Sequence, residues 1–243
     1  MNRFFVPKEW FDAVGVNIAE EAARQITSVL RLKLADRIIV LDNTGMEYEI
    51  AIDKISRDSV HGRIVGQEIS HNEPDVKITL YQSLLKSDKF EYVLQKGTEM
   101  GVTTFVPVVS ARCIVKKESA GKYARWQKII QEAAEQSERA IIPELRITIP
   151  FAQACETVSP LSVMLWEEET FQSLGKIMQK PEYKAIKTIN LFIGPEGGYT
   201  DHEANHAREH GILTASLGKR ILRADTAGIV AVSAIMYDRN ELG

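Results

Sequence analysis

Cysteine is scarce in this sequence, and long apolar runs are absent. The two cysteines, Cys113 and Cys155, are far apart and belong to neither a Cys-x-x-Cys pair nor a Cys/His ligand spacing. Two buried thiols in a reducing compartment are therefore expected rather than a disulfide. No apolar targeting segment follows Met1, and no apolar run approaches the length of a membrane span. These absences predict a cytoplasmic protein that has no contact with a membrane.

A basic overall charge is also lacking. The 243 residues contain 30 lysines and arginines against 33 aspartates and glutamates, so the formal net charge is −3. Contacts with nucleic acid must therefore come from local patches rather than from the charge of the whole molecule. The length suits one large or two modest domains, and the 44% of apolar residues are enough to bury a core.

Hydrophobic patterning divides the sequence into two domains, 1–72 and 73–243. After a short helical stretch at about 18–32, apolar and polar residues alternate through 37–69, with turn residues between the runs. The first domain is therefore expected to be a small β-barrel. In the second, strand patterns alternate with helix patterns, which predicts an α/β fold with a mostly parallel sheet and helices on both faces. The strand patterns lie at 76–80, 104–109, 162–166, 188–193 and about 213–217.

The glycine turn Gly194-Pro-Glu-Gly-Gly198 follows one of these strands. A tight turn by itself needs no ligand, but paired glycines expose backbone N–H groups and let a ligand approach closely. Thr200 and Glu203 match a capping box, which begins the next helix and fixes the geometry of the turn. Turns of this kind, between a strand and a helix, are where α/β proteins bind ligands.

A second loop, Leu217-Gly-Lys-Arg-Ile-Leu-Arg223, combines an apolar slot with positive charge. Leu217, Ile221 and Leu222 can form the slot, and Gly218 allows close approach. The helix that follows carries small residues every three to four positions, a pattern equally typical of core packing and of a subunit interface. These small residues are Ala224, Ala227, Gly228, Ala231 and Ala234.

Between the two loops, His202-Glu-Ala-Asn-His206 matches the H-E-x-x-H motif of zinc peptidases. Two histidines one helical turn apart hold Zn²⁺ in such enzymes. The glutamate is already explained as the capping partner of Thr200, and no third ligand is identifiable. We therefore predict no metal site and keep a zinc peptidase as the alternative from another class of protein.

Positive charge is concentrated between Val108 and Lys128, where six basic residues stand against one acidic residue. Such a run is usually a solvated face, but one this uneven is also compatible with a track for RNA phosphates. Near the N-terminus, Arg3 is a candidate contact for nucleic acid. The other reading of that segment is a strand in which Phe4 and Phe5 pack their rings.

Together, the two loops and Thr226-Ala227 resemble the C-terminal signature of the 16S ribosomal RNA uracil-N3 methyltransferases, which are SPOUT-superfamily enzymes. The segments Gln95-Lys-Gly-Thr-Glu-Met-Gly-Val102 and Glu132-Ala-Ala-Glu-Gln-Ser137 also resemble motifs of that family, so the similarity covers nearly the whole chain. The sequence departs from the family pattern at three places. Ala224-Asp225 stands where Thr-Glu is usual, Gly97 replaces an alanine, and Gln25-Ile-Thr-Ser28 replaces a His-rich segment.

This resemblance implies a PUA-like β-barrel domain at 1–72 and a SPOUT-type domain with a deep trefoil knot at 73–243. The implied activity is methylation, with S-adenosylmethionine, of N3 of one uridine near the decoding site of 16S ribosomal RNA in the small ribosomal subunit. Such enzymes are generally homodimers and need no metal. Another SPOUT RNA methyltransferase, acting on a ribose 2′-hydroxyl or a different base, and a non-catalytic RNA-binding protein remain as alternatives.

The chemistry of methyl transfer to N3 suggests roles for two residues. Arg223 would stabilise negative charge on the uracil carbonyl oxygens, and Glu196 would remove the N3 proton or position the base. The implied cofactor contacts are Leu165, Ile193, Gly194, Pro195, Glu196, Gly197, Gly198, Leu217, Gly218, Ile221, Leu222, Arg223, Thr226 and Ala227. The candidate RNA contacts are Arg3, Arg31, Lys96, Arg112, Lys116, Lys117, Lys122 and Arg125.

Overall fold

The computed structural model describes residues 1–86, 88–117, 119–157 and 159–242. The chain folds as two compact units. The first contains residues 1–73 and a return segment at 134–142, and the second contains residues 74–133 and the chain from 143 onward. Each unit buries its own apolar cluster.

A five-stranded sheet forms most of the first unit, in the order β1-β3-β4-β5-β2. Its strands are β1 (Arg3–Phe5), β2 (Gly15–Ala19), β3 (Arg37–Leu41), β4 (Met46–Ile55) and β5 (Ser59–Ile69). All neighbouring pairs are antiparallel except β1 and β3. No pairing joins the two end strands in the part of the chain described, so a closed barrel stays a prediction.

The helical stretch expected from residue 18 begins later. Val16 and Ile18 lie in β2 and are fully buried, because this segment pairs with β5 and alternates its side chains into the core. The helix α1 (Glu20–Arg24) follows and continues as one π-helical turn, Gln25–Val29. Phe4 is buried in β1, which agrees with the strand reading of the N-terminal segment.

The second unit is built on a seven-stranded sheet whose pairings are all parallel. Its order is β12-β10-β11-β6-β7-β8, and β9 also pairs with β7. The strands are β6 (Lys77–Ser83), β7 (Val102–Val109), β8 (Glu144–Leu145), β9 (Ile149–Pro150), β10 (Leu161–Leu165), β11 (Thr188–Ile193) and β12 (Leu213–Ala215). The helices that follow α1 are α2 (Asp88–Glu99), α3 (Ala120–Gln136), α4 (Phe151–Cys155), α5 (Leu174–Met178), α6 (Pro181–Lys184), α7 (Asp201–Glu209) and α8 (Ala224–Asp238).

Helices cover both faces of this parallel sheet. Phe192 of β11 packs in the apolar cluster that contains residues of α4 and α7. Its neighbour Ile193 points to the other face, where a Cβ added to Gly228 of α8 would lie 3.5 Å from it. The predicted α/β fold with a parallel sheet is therefore confirmed, whereas the trefoil knot stays a prediction.

Among the described residues, none of the helices has both the length and the apolar character that a membrane crossing requires.

Candidate functional site

A cleft of about 420 Å³ lies at the carboxyl ends of three adjacent strands of the second unit. Leu165, Ile193 and Ala215 are the last residues of β10, β11 and β12, and all three line it. Parallel strands present their carboxyl ends at one edge of the sheet, so the loops that leave these strands meet there. Both loops singled out in the sequence form walls of this cleft.

The glycine turn after β11 forms the first wall. The N–H of Gly198 donates to the carbonyl of Pro195 at 2.9 Å, which closes the turn, and Gly198 has a φ of +69°. Tyr199, 1% exposed, anchors the end of the turn in the core. Thr200 then begins α7 with the predicted capping box, which is confirmed. The turn is thus held rigidly at both ends.

Arg112 supports this turn from outside the cleft. Its Nη1 donates to the carbonyl of Gly197 at 2.9 Å and to that of Tyr199 at 3.3 Å. On the inner side, Nε2 of the buried Gln82 lies 3.5 Å from the carbonyl of Gly194. The structure therefore gives Arg112, a candidate RNA contact, a structural partner, and it places Gly197 against Arg112 rather than in the cleft.

Glu196 lines the cleft and is tied to the start of α2. Its Oε1 accepts from the backbone N–H of Lys86 at 3.2 Å and lies 4.0 Å from Nζ of Lys89. The side chain is 26% exposed. Lys89 also lines the cleft, so an ion pair stands at this edge of the site.

The second wall is the loop from β12 to α8. Ile221 is 84% exposed and Leu222 is half-buried, so apolar surface faces the cleft without being covered. Arg223 is the N-cap residue of α8, and its carbonyl accepts from the N–H of Ala227 at 2.8 Å. The guanidinium of Arg223 has no ion-pair partner among the described residues. It therefore adds positive charge at a helix N-terminus, where the helix dipole has the same sign.

A third wall, which the sequence analysis missed, is the loop after β10. Trp166 and Glu167 line the cleft, and the N–H of Trp166 donates to the carbonyl of Ala215 at 3.0 Å. The buried Glu169 holds this loop. Its carboxylate accepts a hydrogen bond from the backbone N–H of Phe171 at 2.9 Å. Three consecutive glutamates directly after a buried strand, 167–169, were the available signal.

Burial alone would raise the pKa of Glu169, but hydrogen bonds reverse the shift. Thr214 Oγ1 donates to Oε2 of Glu169 at 2.6 Å, and Nη2 of Arg208 lies 3.0 Å from the same oxygen. These bonds and those from the backbone hold the pKa of Glu169 below its usual value. The carboxylate therefore stays charged and joins the third wall to β12.

The structure brings most of the sequence-derived cofactor candidates together. Only Gly197 and Thr226 of that set do not line the cleft. The candidates that do are Leu165, Ile193, Gly194, Pro195, Glu196, Gly198, Leu217, Gly218, Ile221, Leu222, Arg223 and Ala227. Lining residues that the sequence analysis did not name as contacts are Lys89, Trp166, Glu167, Ala215, Ser216, Arg220 and Ala224.

The candidate RNA contacts are placed unevenly. In the first unit, the side chain of Arg3 is only 8% exposed and pairs with Glu47, so it does not face a surface that RNA can reach. Arg31, also in that unit, is exposed. In the second unit, Lys116 and Lys117 are exposed.

The remaining basic candidates of the second unit have partners. Lys96 pairs with Glu99 at 2.7 Å, and Lys122 lies over the ring of Trp126 at 5.4 Å. Arg125 pairs with Glu91 at 2.7 Å but keeps 69% of its side chain exposed. Such an exposed pair is weak and can exchange its carboxylate for a phosphate.

The H-E-x-x-H segment is organised as a helix cap. Glu203 is 6% exposed, and its carboxylate oxygens accept from the N–H groups of Thr200 and Ala111 at 2.9 and 2.8 Å. In a zinc peptidase this carboxylate would have to act as the general base. The described residues contain no group of three side chains placed to hold a metal ion.

Comparisons with known proteins find relatives over nearly the whole length of this chain. A family model described as an RNA methyltransferase domain matches residues 72–236. The ribosomal RNA small subunit methyltransferase E of Bacillus subtilis is 33% identical over 98% of this chain and 96% of its own. Its namesake from Synechocystis is 34% identical over 96% of this chain and 76% of its own.

A solved structure is similar over the same length. The crystal structure of the ribosomal RNA small subunit methyltransferase E of Neisseria gonorrhoeae, bound to S-adenosylmethionine, is 32% identical with a TM-score of 0.87. The match covers 98% of this chain and 97% of that one.

Proposed function

Because this chain belongs to the RNA methyltransferase domain family, among the ribosomal RNA small subunit methyltransferases E, we propose that it methylates N3 of one uridine in 16S ribosomal RNA. The methyl donor is S-adenosylmethionine, and the uridine lies near the decoding site of the small subunit. The observation that carries the proposal is the single cleft that both motif loops share.

The cleft fits this cofactor. Its volume of about 420 Å³ lies in the range of small-molecule sites, about 300–1,000 Å³. Leu217, Ile221 and Leu222 offer apolar surface to the flat adenine, and the glycine turn lets the ligand approach the backbone. Gly198 is needed for this shape, since a Cβ there would lie 1.8 Å from Oε1 of Glu167.

The cofactor supplies an electrophilic methyl group, so the protein has to align the uracil nitrogen with it and exclude water. N3 carries a proton and lies on the pairing edge of the base, which must therefore be unpaired when it enters the cleft. Arg223 stabilises the negative charge that develops on the carbonyl oxygens beside N3. Glu196, oriented by Lys86 and Lys89, accepts the proton or positions the base.

For RNA binding we propose the exposed lysines Lys116 and Lys117 with Lys122 and Arg125 in the second unit. In the first unit, a PUA-like domain in this proposal, Arg31 remains a candidate. Such contacts neutralise phosphates and carry no sequence information by themselves. Arg3 and Arg112 leave this set, because the first is buried and the second supports the glycine turn.

We further propose a cytoplasmic homodimer whose second unit contains the trefoil knot. Part of the small-residue stripe of α8 serves the core, since Gly228 and Ala231 are buried. On the other side of α8, Val230 is 40% and Tyr237 71% exposed. An apolar helix face left open in this way suits a second copy of the chain.

The test is transfer of a labelled methyl group from S-adenosylmethionine to small ribosomal subunits that lack the modification. We expect incorporation into RNA, and we expect Arg223→Ala to lower kcat strongly at saturating cofactor and RNA. Full turnover of this variant would remove the role of Arg223. RNA binding without any transfer would refute the proposed activity and leave the non-catalytic alternative.

A further inference from the structure

Glu167 places a carboxylate in the cleft without giving it a partner. Its side chain is exposed and has no hydrogen bond or ion pair to any residue that the structure describes. Glu196, the other carboxylate in the lining, is bonded to Lys86 and lies beside Lys89. Of the two carboxylates in the lining, Glu167 is thus the one without a partner among the described residues, and a carboxylate placed in this way is a candidate ligand contact.

The loop that carries Glu167 is fixed on both sides of it. The preceding residue, Trp166, donates its N–H to Ala215 of β12 at 3.0 Å. Two residues further on, Glu169 is 8% exposed and accepts from Thr214 of the same strand at 2.6 Å. Glu167 is therefore presented from a rigid support, as a binding residue needs to be.

The opposite wall leaves room for this carboxylate. Oε1 of Glu167 would lie 1.8 Å from a Cβ at Gly198, so the carboxylate fills the space that a side chain would occupy there. Gly198 also has a φ of +69°, which only glycine adopts easily. The glycine turn and Glu167 are thus shaped to each other.

We infer that Glu167 determines cofactor recognition by accepting hydrogen bonds from the two hydroxyl groups of the adenosine ribose. This inference rests on the proposed cofactor. The hydrogen bond from the N–H of Trp166 to the carbonyl of Ala215 holds Glu167 beside the end of β12. The loop that begins at this end of β12 contains Leu217, which contributes to the apolar slot. With adenine in that slot, the ribose is the next group of the ligand. An acidic side chain on a ribose hydroxyl is an established chemistry for nucleotide ligands in α/β folds.

Calorimetry with three ligands separates the ribose from the amino-acid arm. The ligands are S-adenosylhomocysteine, 5′-methylthioadenosine, which lacks the amino-acid arm, and the 2′,3′-dideoxy form of 5′-methylthioadenosine. We expect Glu167→Gln to weaken the first two by about tenfold or more, as for a lost charge-assisted hydrogen bond, and to leave the third unchanged. The matched control is Glu168→Gln, which changes the adjacent exposed carboxylate and should bind all three ligands normally.

Each other result overturns the inference. Weaker binding of S-adenosylhomocysteine alone would assign Glu167 to the ammonium group of the ligand. Equal weakening of all three ligands would mean that the substitution changes the cleft rather than a hydroxyl contact, and unchanged binding would mean that no contact exists. The proposed function fails differently, since tight binding of S-adenosylhomocysteine without methylation of RNA would refute that function and leave the role of Glu167 intact.

Discussion

Replacing Gly198 with alanine tests whether the glycine turn and Glu167 are shaped to each other. The substitution has two separate effects. It places a Cβ on a residue with a φ of +69°, and it puts that Cβ 1.8 Å from Oε1 of Glu167. The carboxylate is the far end of an exposed, flexible side chain, so it can move away, but it then leaves its position in the cleft.

The two effects have different magnitudes and different measurements. The left-handed backbone costs an L-residue roughly 1–2 kcal/mol, which for a protein of this size lowers Tm by about 2–8 °C. Displacing Glu167 removes its bonds to the ligand, so binding of S-adenosylhomocysteine should weaken about tenfold. Thermal unfolding measures the first effect, and calorimetry measures the second.

Gly211→Ala is the matched control. Gly211 has a φ of +76°, an added Cβ there meets nothing within 4 Å, and the residue does not line the cleft. This variant should lose similar stability and bind the ligand normally. If Gly198→Ala bound S-adenosylhomocysteine as tightly as the unchanged protein, or if Gly211→Ala weakened binding equally, the proposed fit between the glycine turn and Glu167 would be refuted.

Three further predictions concern two residues that support the cleft and one buried cysteine of the core. Arg112→Ala should raise KM for S-adenosylmethionine several-fold, because the glycine turn loses the hydrogen bond from Arg112 to the carbonyl of Gly197. Its affinity for RNA should stay nearly unchanged, and a loss of RNA affinity alone would contradict the structural role of Arg112. Glu169→Gln should lower the free energy of unfolding at pH 7 by about 1–3 kcal/mol, measured by urea denaturation. Because the pKa of Glu169 is lower in the folded state than its usual value of 4.5, the difference between the two proteins should shrink as the pH falls below 4.5. Burial first, and then the charges of Glu203 and Glu156, raise the pKa of the Cys155 thiol from 9.0 to about 12. This thiol should therefore resist iodoacetamide at pH 9 until the protein is unfolded, and rapid alkylation of the folded protein would disprove the raised pKa. The contribution of the neutral thiol to stability should be lost as the pH rises from 9 to 12.

Local signals predicted the first two walls of the site. The strand at 188–193 has the bounds of β11, because an apolar run ends at Gly194-Pro195 and needs no distant partner to be recognised. The capping box of Thr200 and Glu203 is also local, since both bonds join residues three positions apart. Patterns of this kind are readable because the chemistry and the spacing lie in one short segment.

Distant contacts account for what the sequence did not predict. The charge of Arg112 predicts a contact with phosphate, but in the fold its guanidinium donates to a carbonyl 85 positions away. Glu167 and Glu169 both follow β10, but their side chains point in different directions. The side chain of Glu167 points towards the cleft, and that of Glu169 points towards Thr214. The sequence around Ile18 predicts a helix, because the pairing of this segment with β5 cannot be seen in the segment alone.

Nucleoside mass spectrometry of the modified RNA identifies the methylated atom, on which the proposed function depends. Small subunits that lack the modification are incubated with the protein and labelled S-adenosylmethionine, and the digested 16S ribosomal RNA is compared with standards. We expect 3-methyluridine from a single position near the decoding site. A 2′-O-methyl nucleoside or a methylated base other than uracil would contradict it.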